Sequence, residues 1–224
     1  MSVNIDNLTI GLPVPRSATN PVALEIPGSQ ALQQYPELVT RLPDGSVQFT
    51  APTLGASSKS TQRTRCEWKE ARYWLLESAR EHSNRQEMTL TRVNSAQKVV
   101  ISQMHVLNDD SPVVKVFWNK GKITLGFRQH FDQPDPVNST VLDKVPLGAR
   151  FSILIHATAS AVITVQASCD GRTSNLAPMT LDPDWAGHAF DFHGGVYNQV
   201  DYTSATLATD GSVCIIHDLQ LSHV

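Results

Sequence analysis

From residue 97 to residue 131 the chain reads QKVVISQMHVLNDDSPVVKVFWNKGKITLGFRQHF. Three runs in it, 97–106, 113–119 and 122–131, are rich in β-branched and aromatic residues, which is typical of strands. The last two runs are separated only by Lys120-Gly121, a two-residue connection that favours a tight hairpin. This part of the chain therefore predicts an antiparallel sheet.

The rest of the chain repeats this character. Runs 151–158 and 161–168 predict a second hairpin, and run 213–222 predicts a closing strand. Helix is scarce: 29–35 predicts a short turn, and 70–78 is interpreted as strand and loop. Many short strands separated by Gly, Pro, Asn and Asp favour an all-β fold, a jelly-roll β-sandwich of two antiparallel sheets.

Composition narrows the class of protein. A chain of 224 residues with 41% hydrophobic residues is long enough for one large β-sandwich, so we expect a single domain over residues 1–224. The formal net charge of -3 means that an acidic polymer would have to bind in a local cationic cleft. No basic run with interleaved aromatic residues is present, so nucleic-acid binding is not expected. No apolar run is long enough to span a membrane.

Location and redox state remain open at this level. Residues 1–7 have neither the basic segment nor the apolar segment of a signal peptide. A cytoplasmic protein and a secreted protein whose signal has been removed would both look like this. The three cysteines, Cys66, Cys169 and Cys214, lack metal-ligand spacing, and we expect buried thiols. A Cys169–Cys214 disulfide is the alternative.

Three short segments carry polar residues at every second position of a predicted strand. Alternate side chains of a strand share a face. The first segment therefore has Arg65, Glu67 and Lys69 on one face. The second has Val99, Ile101, Gln103 and His105 on one face, and the third has His193, Tyr197 and Gln199. Cys66 and Met104 would point the other way. Neighbouring strands would form a groove of cations, imidazoles, amides and a phenol, which suits binding an acidic polymer and moving a proton. Taken alone, each polar segment is more typical of an ordinary solvated strand face, and a lone Tyr197 is more typical of a packing tyrosine.

The same segments resemble the signature motifs of polysaccharide lyase family 7, the alginate lyases. That family has R-[ST]-E-L-R, Q-[IV]-H and Y-F-K-x-G-x-Y-x-Q in this order; this chain has RCEWK from Arg65, QMH from Gln103 and DFHGGVYNQ from Asp191. The segments 8–14 and 145–151 also resemble family strands, so the similarity extends over nearly the whole chain.

The resemblance implies a jelly roll with a concave substrate cleft and a lyase that cleaves alginate or a related polyuronate by β-elimination, internally along the polymer. It implies no cofactor and no metal, and we expect a monomer. The implied catalytic residues are Arg65, Gln103, His105 and Tyr197. The implied substrate-binding residues are Glu67, Lys69, Arg128, His193 and Gln199, although Glu67 is interpreted chiefly as orienting Arg65, and Arg128 as subsite or surface. The polar loops 54–63 and 132–140 are interpreted as lids.

Three positions depart from the family pattern. Lys69 replaces an arginine and loses its bidentate fork, His193 replaces a lysine, and Asp191 replaces a tyrosine. Along a strand His193 lies about 13 Å from Tyr197, at ~3.3 Å per residue. We therefore expect His193 to affect a neighbouring subsite and to influence the chemistry only indirectly.

Other functions remain as alternatives. A lyase specific for a glucuronic acid polymer would use the same chemistry, and a non-catalytic jelly-roll module would bind acidic polysaccharide without it. A glucanase would need carboxylates clustered on one strand, as in E-x-D-x-x-E, and the sequence has no such cluster. The sequence leaves open the preference for mannuronate, guluronate or glucuronate, and the choice between endo and exo cleavage.

Overall fold

The computed structural model describes residues 2–133, 136–174 and 176–224. Pro134 and Asp135, in the expected lid 132–140, lie outside the described residues. The strands, in chain order, are β1 (Thr9–Ser17), β2 (Asn20–Pro27), β3 (Val39–Arg41), β4 (Val47–Pro52), β5 (Arg65–Lys69), β6 (Trp74–Leu75), β7 (Glu81–Arg92), β8 (Lys98–Val106), β9 (Val114–Asn119), β10 (Lys122–Phe127), β11 (Ser139–Leu142), β12 (Arg150–Thr158), β13 (Val162–Cys169), β14 (Arg172–Thr173), β15 (Met179–Thr180), β16 (Ala189–Asn198) and β17 (Gly211–His223). The helical elements are α1 (Gly28–Gln34) and the 3₁₀ turns Leu76–Ser78 and Pro183–Trp185.

These strands form two antiparallel sheets. The first has the order β11-β10-β9-β8-β16-β5-β1-β2, with β6 also paired to β16. The second has the order β14-β13-β12-β7-β17-β4-β3, with β15 also paired to β13. Neighbouring strands such as β8 and β16 are far apart in sequence, as in a jelly roll, and the predicted all-β sandwich is confirmed.

The hairpin of β9 and β10 follows from its turn. Lys120 and Gly121 both have positive φ, 49° and 79°, which is the geometry of the primed turns that match strand twist. Asn119 pairs with Lys122 across this turn. The strand ends at Phe127, four residues earlier than predicted. The Arg128 N–H still donates a hydrogen bond to the Val113 carbonyl (2.9 Å), and the chain then bends at residues 129–130. The second predicted hairpin is confirmed as β12 and β13.

The core lies between the two sheets. Its largest fully buried side chains include Trp68, Phe49, Phe190 and Phe192. Cys66, Cys169 and Cys214 are buried free thiols, so the alternative of a Cys169–Cys214 disulfide is wrong. Segment 29–35, predicted as a turn, lies largely in helix α1. Among the described residues, no helix is both long and apolar enough to cross a bilayer.

Strand β7 has a buried face that is polar. His82, Asn84 and Gln86 alternate along it and are all fully buried. Gln86 donates a hydrogen bond to the Ile101 carbonyl (2.8 Å), and Asn84 donates one to the Ser102 hydroxyl (3.1 Å). These bonds cross from the second sheet to strand β8 of the first sheet.

Strand β8 has a β-bulge at the two residues that accept these bonds, Ile101 and Ser102. Val100 pairs with Phe117 but Ser102 pairs with Val116, so Ile101 is an extra residue on β8. Val99 and Ile101 pack in the core, whereas Gln103 lines a cavity on the outer side of the sheet. The expectation that all of Val99, Ile101, Gln103 and His105 share one face is therefore wrong, because the bulge reverses the alternation after Ile101.

Candidate active site

The candidate site lies on the outer face of β5, β16 and β8, which are adjacent in the first sheet. Arg65 on β5 pairs with Tyr197 on β16. Further along β16, His193 pairs with both Lys69 and Gln103. The three motifs, separated by up to about 130 residues in sequence, thus meet side by side. As the alternation predicted, Cys66 and Met104 lie in the core.

Glycines make this close meeting of strands possible. A Cβ on Gly194 would lie 2.6 Å from Gln86 Oε1 and 2.7 Å from the Trp68 ring. Gly195 has φ +125°, a conformation that side-chain-bearing residues rarely adopt. The Gly-Gly pair therefore lets β16 approach the core while it presents Tyr197 outward.

Arg65, Glu67, Gln103 and Tyr197 form one connected group. The Arg65 guanidinium lies 3.8 Å from the centroid of the Tyr197 ring, a cation–π contact. Arg65 Nη1 is 3.5 Å from Glu67 Oε2, and Gln103 Nε2 donates a hydrogen bond to Glu67 Oε1 (2.7 Å). Burial raises the pKa of the Glu67 carboxyl, while Arg65 opposes the increase. Glu67 is fully buried beneath the group and holds Arg65 and Gln103 in place.

An open cavity of about 810 Å³ lies over this group. Arg65, Gln103, His105 and Tyr197 all line it. Its volume is in the range of ligand-binding clefts, ~300–1,000 Å³. The structure therefore brings all four expected catalytic residues to one solvent-accessible space.

His105 is held as a neutral imidazole. Burial, together with the neighbouring His193, lowers the pKa of His105 to about 3. Its Nδ1 lies 3.1 Å from the Val106 carbonyl oxygen, an acceptor, which assigns the proton to Nδ1. Nε2 then carries a lone pair and can accept a proton.

His193 lies nearer to the expected chemistry than its sequence position indicated. Its ring is nearly parallel to that of His105, with centroids 4.9 Å apart, and its side chain is 4% exposed. Its Nε2 is 2.7 Å from Asp191 Oδ2. The 13 Å argument along one strand overlooked the next strand, which places His105 beside it. The expected effect of His193 on a neighbouring subsite stays a prediction.

Three other expected substrate-binding residues lie outside the lining of this cavity. Lys69 is ion-paired with Glu25 of β2. Arg128 is 6% exposed, forms an ion pair with Asp109 (2.9 Å) and donates to the carbonyls of Ser111 and Phe131. Gln199 and Arg128 line a second cavity of about 250 Å³ beside the first. The extensive bonding of Arg128 favours a structural role.

The cavity also contains residues that the motifs did not indicate. Lys59, Arg63, Asp110, Lys115 and Asp201 line it. Arg63 forms an ion pair with Asp201 (3.1 Å) and, with Lys115, also borders the second cavity. The signal in the sequence was the pair of cations, Lys59 and Arg63, in the expected lid 54–63. A bridge between Ser57 and Thr64 closes most of this loop at its base. These cations explain how a protein of net negative charge presents a local cationic cleft.

The model of one known family, described as alginate lyase, matches residues 3–223. The chain belongs to the alginate lyase family. It is thus a polysaccharide lyase, in agreement with the order of its three motifs. No curated protein matches the chain.

Solved structures of alginate lyases share the fold. Alginate lyase PA1167 from Pseudomonas aeruginosa is 22% identical, with a TM-score of 0.83 over 99% of this chain and 100% of that one. The alginate lyase from Klebsiella pneumoniae is 18% identical, with a TM-score of 0.81 over 98% and 96%. A variant of the family 7 alginate lyase A1-II', solved in complex with a substrate, is 21% identical, with a TM-score of 0.79 over 98% and 93%.

Proposed function

We propose that this polysaccharide lyase cleaves alginate or a related polyuronate by β-elimination, at internal bonds, and leaves an unsaturated uronate at the new non-reducing end. The observation that carries the proposal is that Arg65, Gln103, His105 and Tyr197 all line one open cavity. All four come from one chain, so a monomer holds the complete site. The residues 1–224 act in this proposal as a single domain.

The elimination needs the substrate carboxylate to be neutralised first. The C5 proton is weakly acidic while the neighbouring carboxylate is charged, because the carbanion has no acceptor for its electrons. Arg65 supplies a fixed positive charge and Gln103 an amide donor, and both are held by Glu67. Donors placed where charge develops stabilise the enolate-like transition state.

Proton transfer is assigned to Tyr197 and His105. Tyr197 is the general acid that protonates the departing C4 oxygen, and the base where it faces the C5 proton. The Arg65 guanidinium packs against its ring, 3.8 Å from the centroid, and orients it. The free Nε2 of His105 is the base for the uronate of opposite configuration at C5. The bound uronate charge would increase the proton affinity of His105.

The substrate lies along the two joined cavities in this proposal. Lys59, Arg63 and Lys115 line the first cavity, and Arg63, Lys115 and Gln199 line the second. Several cations that line one cleft suit a repeating carboxylate better than a neutral sugar. The buried Asp191 and His193 replace the family's tyrosine and lysine, and Lys69 is tied to Glu25. Subsites beside the reacting sugar therefore differ from the family pattern.

The test is an assay on polymannuronate, polyguluronate and polyglucuronate, read by the ultraviolet absorbance of the new double bond. We expect absorbing products of several sizes from at least one polymer, and chelator-treated protein should be equally active. Activity on polyglucuronate alone would identify the glucuronic acid alternative. Binding without any absorbing product would identify a non-catalytic module, and loss of activity on chelation, restored by a metal, would contradict the metal-free mechanism.

A further inference from the structure

His105, Asp191 and His193 form a compact group of metal-ligand types at the edge of the cavity. Asp191 on β16 pairs directly with His105 on β8, and His193 follows two residues later on the same face. One ligand atom from each residue lies within 4.8 Å of the other two. In a tetrahedral zinc site with bonds of ~2.0–2.1 Å, ligand atoms are roughly 3.4 Å apart. Small side-chain rotations would therefore bring the three around one ion.

Two atoms of this group are buried without a partner. Asp191 Oδ1 and His193 Nδ1 make no hydrogen bond to any residue that the structure describes, and their side chains are 2% and 4% exposed. Buried polar atoms in folded proteins are nearly always satisfied. A carboxylate oxygen and an imidazole nitrogen left in this state point to a ligand that accepts electron pairs.

The chemistry of the group fits a borderline divalent cation. One nitrogen of each imidazole faces an acceptor: His105 Nδ1 the Val106 carbonyl (3.1 Å), and His193 Nε2 the Asp191 carboxylate (2.7 Å). The other nitrogen of each ring is left to offer its lone pair to a metal. Two imidazoles and one carboxylate are a common three-residue set for Zn²⁺, which leaves a position open for a fourth ligand. The cations nearest the group are Lys69, which is paired with Glu25, and Arg65, which is near Glu67.

We propose that His105, Asp191 and His193 bind a divalent metal ion of the Zn²⁺ class, and that the bound ion inhibits the lyase. The ion enters through the cavity that His105 lines. Coordination takes the His105 lone pair and places a second positive charge beside Arg65, so proton transfer and substrate placement are both disturbed. The inhibitory half of this proposal rests on the proposed function, whereas the binding half does not.

Metal binding is tested directly on the full chain. The protein is freed of metal with a chelator, the chelator is removed, and Co²⁺ or Zn²⁺ alone is titrated, with visible absorption for Co²⁺ and calorimetry for Zn²⁺. We expect one ion per chain. Asp191→Asn and His193→Gln should each weaken binding at least tenfold, whereas His130→Asn, which removes an exposed histidine paired with Asp182, should not.

Circular dichroism is the control that each variant is folded. No saturable binding to the wild type, or equal affinity in the wild type and both site variants, would overturn the site.

The inhibitory half is tested with short oligouronates, because long polyuronates themselves bind divalent cations. The rate should fall in proportion to zinc occupancy and recover on chelation. Binding with an unchanged rate would overturn inhibition. Binding by a protein that cleaves no polyuronate would leave the metal site standing and contradict the proposed function instead.

Discussion

At the scale of single residues, the proposed site is built on a buried carboxylate, that of Glu67, which is not exposed to solvent. Glu67 contacts both Arg65 and Gln103, the two groups assigned to the substrate carboxylate. The sequence placed Glu67 on the same face as Arg65 but could not show its depth. Alternation reports which side of a strand a residue occupies, and neighbouring side chains decide its exposure.

Replacing Glu67 tests this positioning role. Glu67→Gln keeps an acceptor for Gln103 but removes the charge that holds Arg65. We expect kcat/KM on the best polyuronate to fall about 10–100-fold, since small misplacement of a binding group costs about that much. Glu81→Gln, an exposed carboxylate of β7 paired with His156, is the matched control and should be normal. Equal rates for both variants would show that Glu67 does not position Arg65.

At the scale of elements, the sequence correctly predicted the hairpin turn, which local residues determine. It missed strand β7 and the bulge in β8, which contacts between the two sheets determine. The turn at Lys120-Gly121 is encoded by its two residues, and the hairpin was predicted correctly. Strand β7 was not predicted, because His82, Asn84 and Gln86 give it a polar inward face without the usual apolar alternation. The bulge at Ile101 was missed for the same reason, since its partners lie on β7.

Because hydrogen bonds join β7 to the bulge in β8, we expect a substitution in β7 to lower both the stability of the fold and the activity of the site. Gln86→Leu removes the hydrogen bond to the Ile101 carbonyl and should destabilise the fold by about 1–3 kcal/mol, the range for an unsatisfied buried group. Because the bulge turns Gln103 and His105 toward the cavity, activity should fall further than the folded fraction. The measurements are chemical denaturation and kcat/KM. Gln166→Leu, at an exposed position of β13, is the control. Loss of stability with unchanged kcat/KM would separate the bulge from the site.

His82 makes one contribution to stability dependent on pH. It stacks on Trp74 with ring centroids 4.0 Å apart, and its Nδ1 is 2.7 Å from His223 Nδ1. Burial lowers the pKa of His82, so the folded state binds its proton less readily than the unfolded state. This contribution is therefore present above the usual histidine pKa of ~6.5 and is lost as pH falls through the lowered value.

His82→Gln should reveal that dependence. The difference in melting temperature between wild type and variant should be greatest at neutral pH and should shrink as the solution is acidified. Thermal melts at a series of pH values measure it, and the comparison cancels the titration of other groups. A difference that stays constant, or grows in acid, would contradict the lowered pKa of His82.

At the scale of the whole molecule, both sheets share one core. Residues from both sheets, such as Trp68 of β5 and Ile216 of β17, belong to the same buried cluster. We expect a single cooperative calorimetric transition whose van't Hoff and calorimetric enthalpies agree. Two separate transitions would show that the residues 1–224 do not unfold as one domain.

The central claim is that the Arg65, Gln103, His105 and Tyr197 group performs the elimination, and Tyr197→Phe tests it most directly. The substitution removes only the phenolic oxygen and keeps the ring that contacts Arg65. Turnover of the best polyuronate, read as ultraviolet absorbance of the unsaturated product, should fall by roughly 10²–10⁴, the range for loss of an acid–base group, with substrate affinity and melting temperature retained. Near-normal turnover by the folded variant would contradict the account.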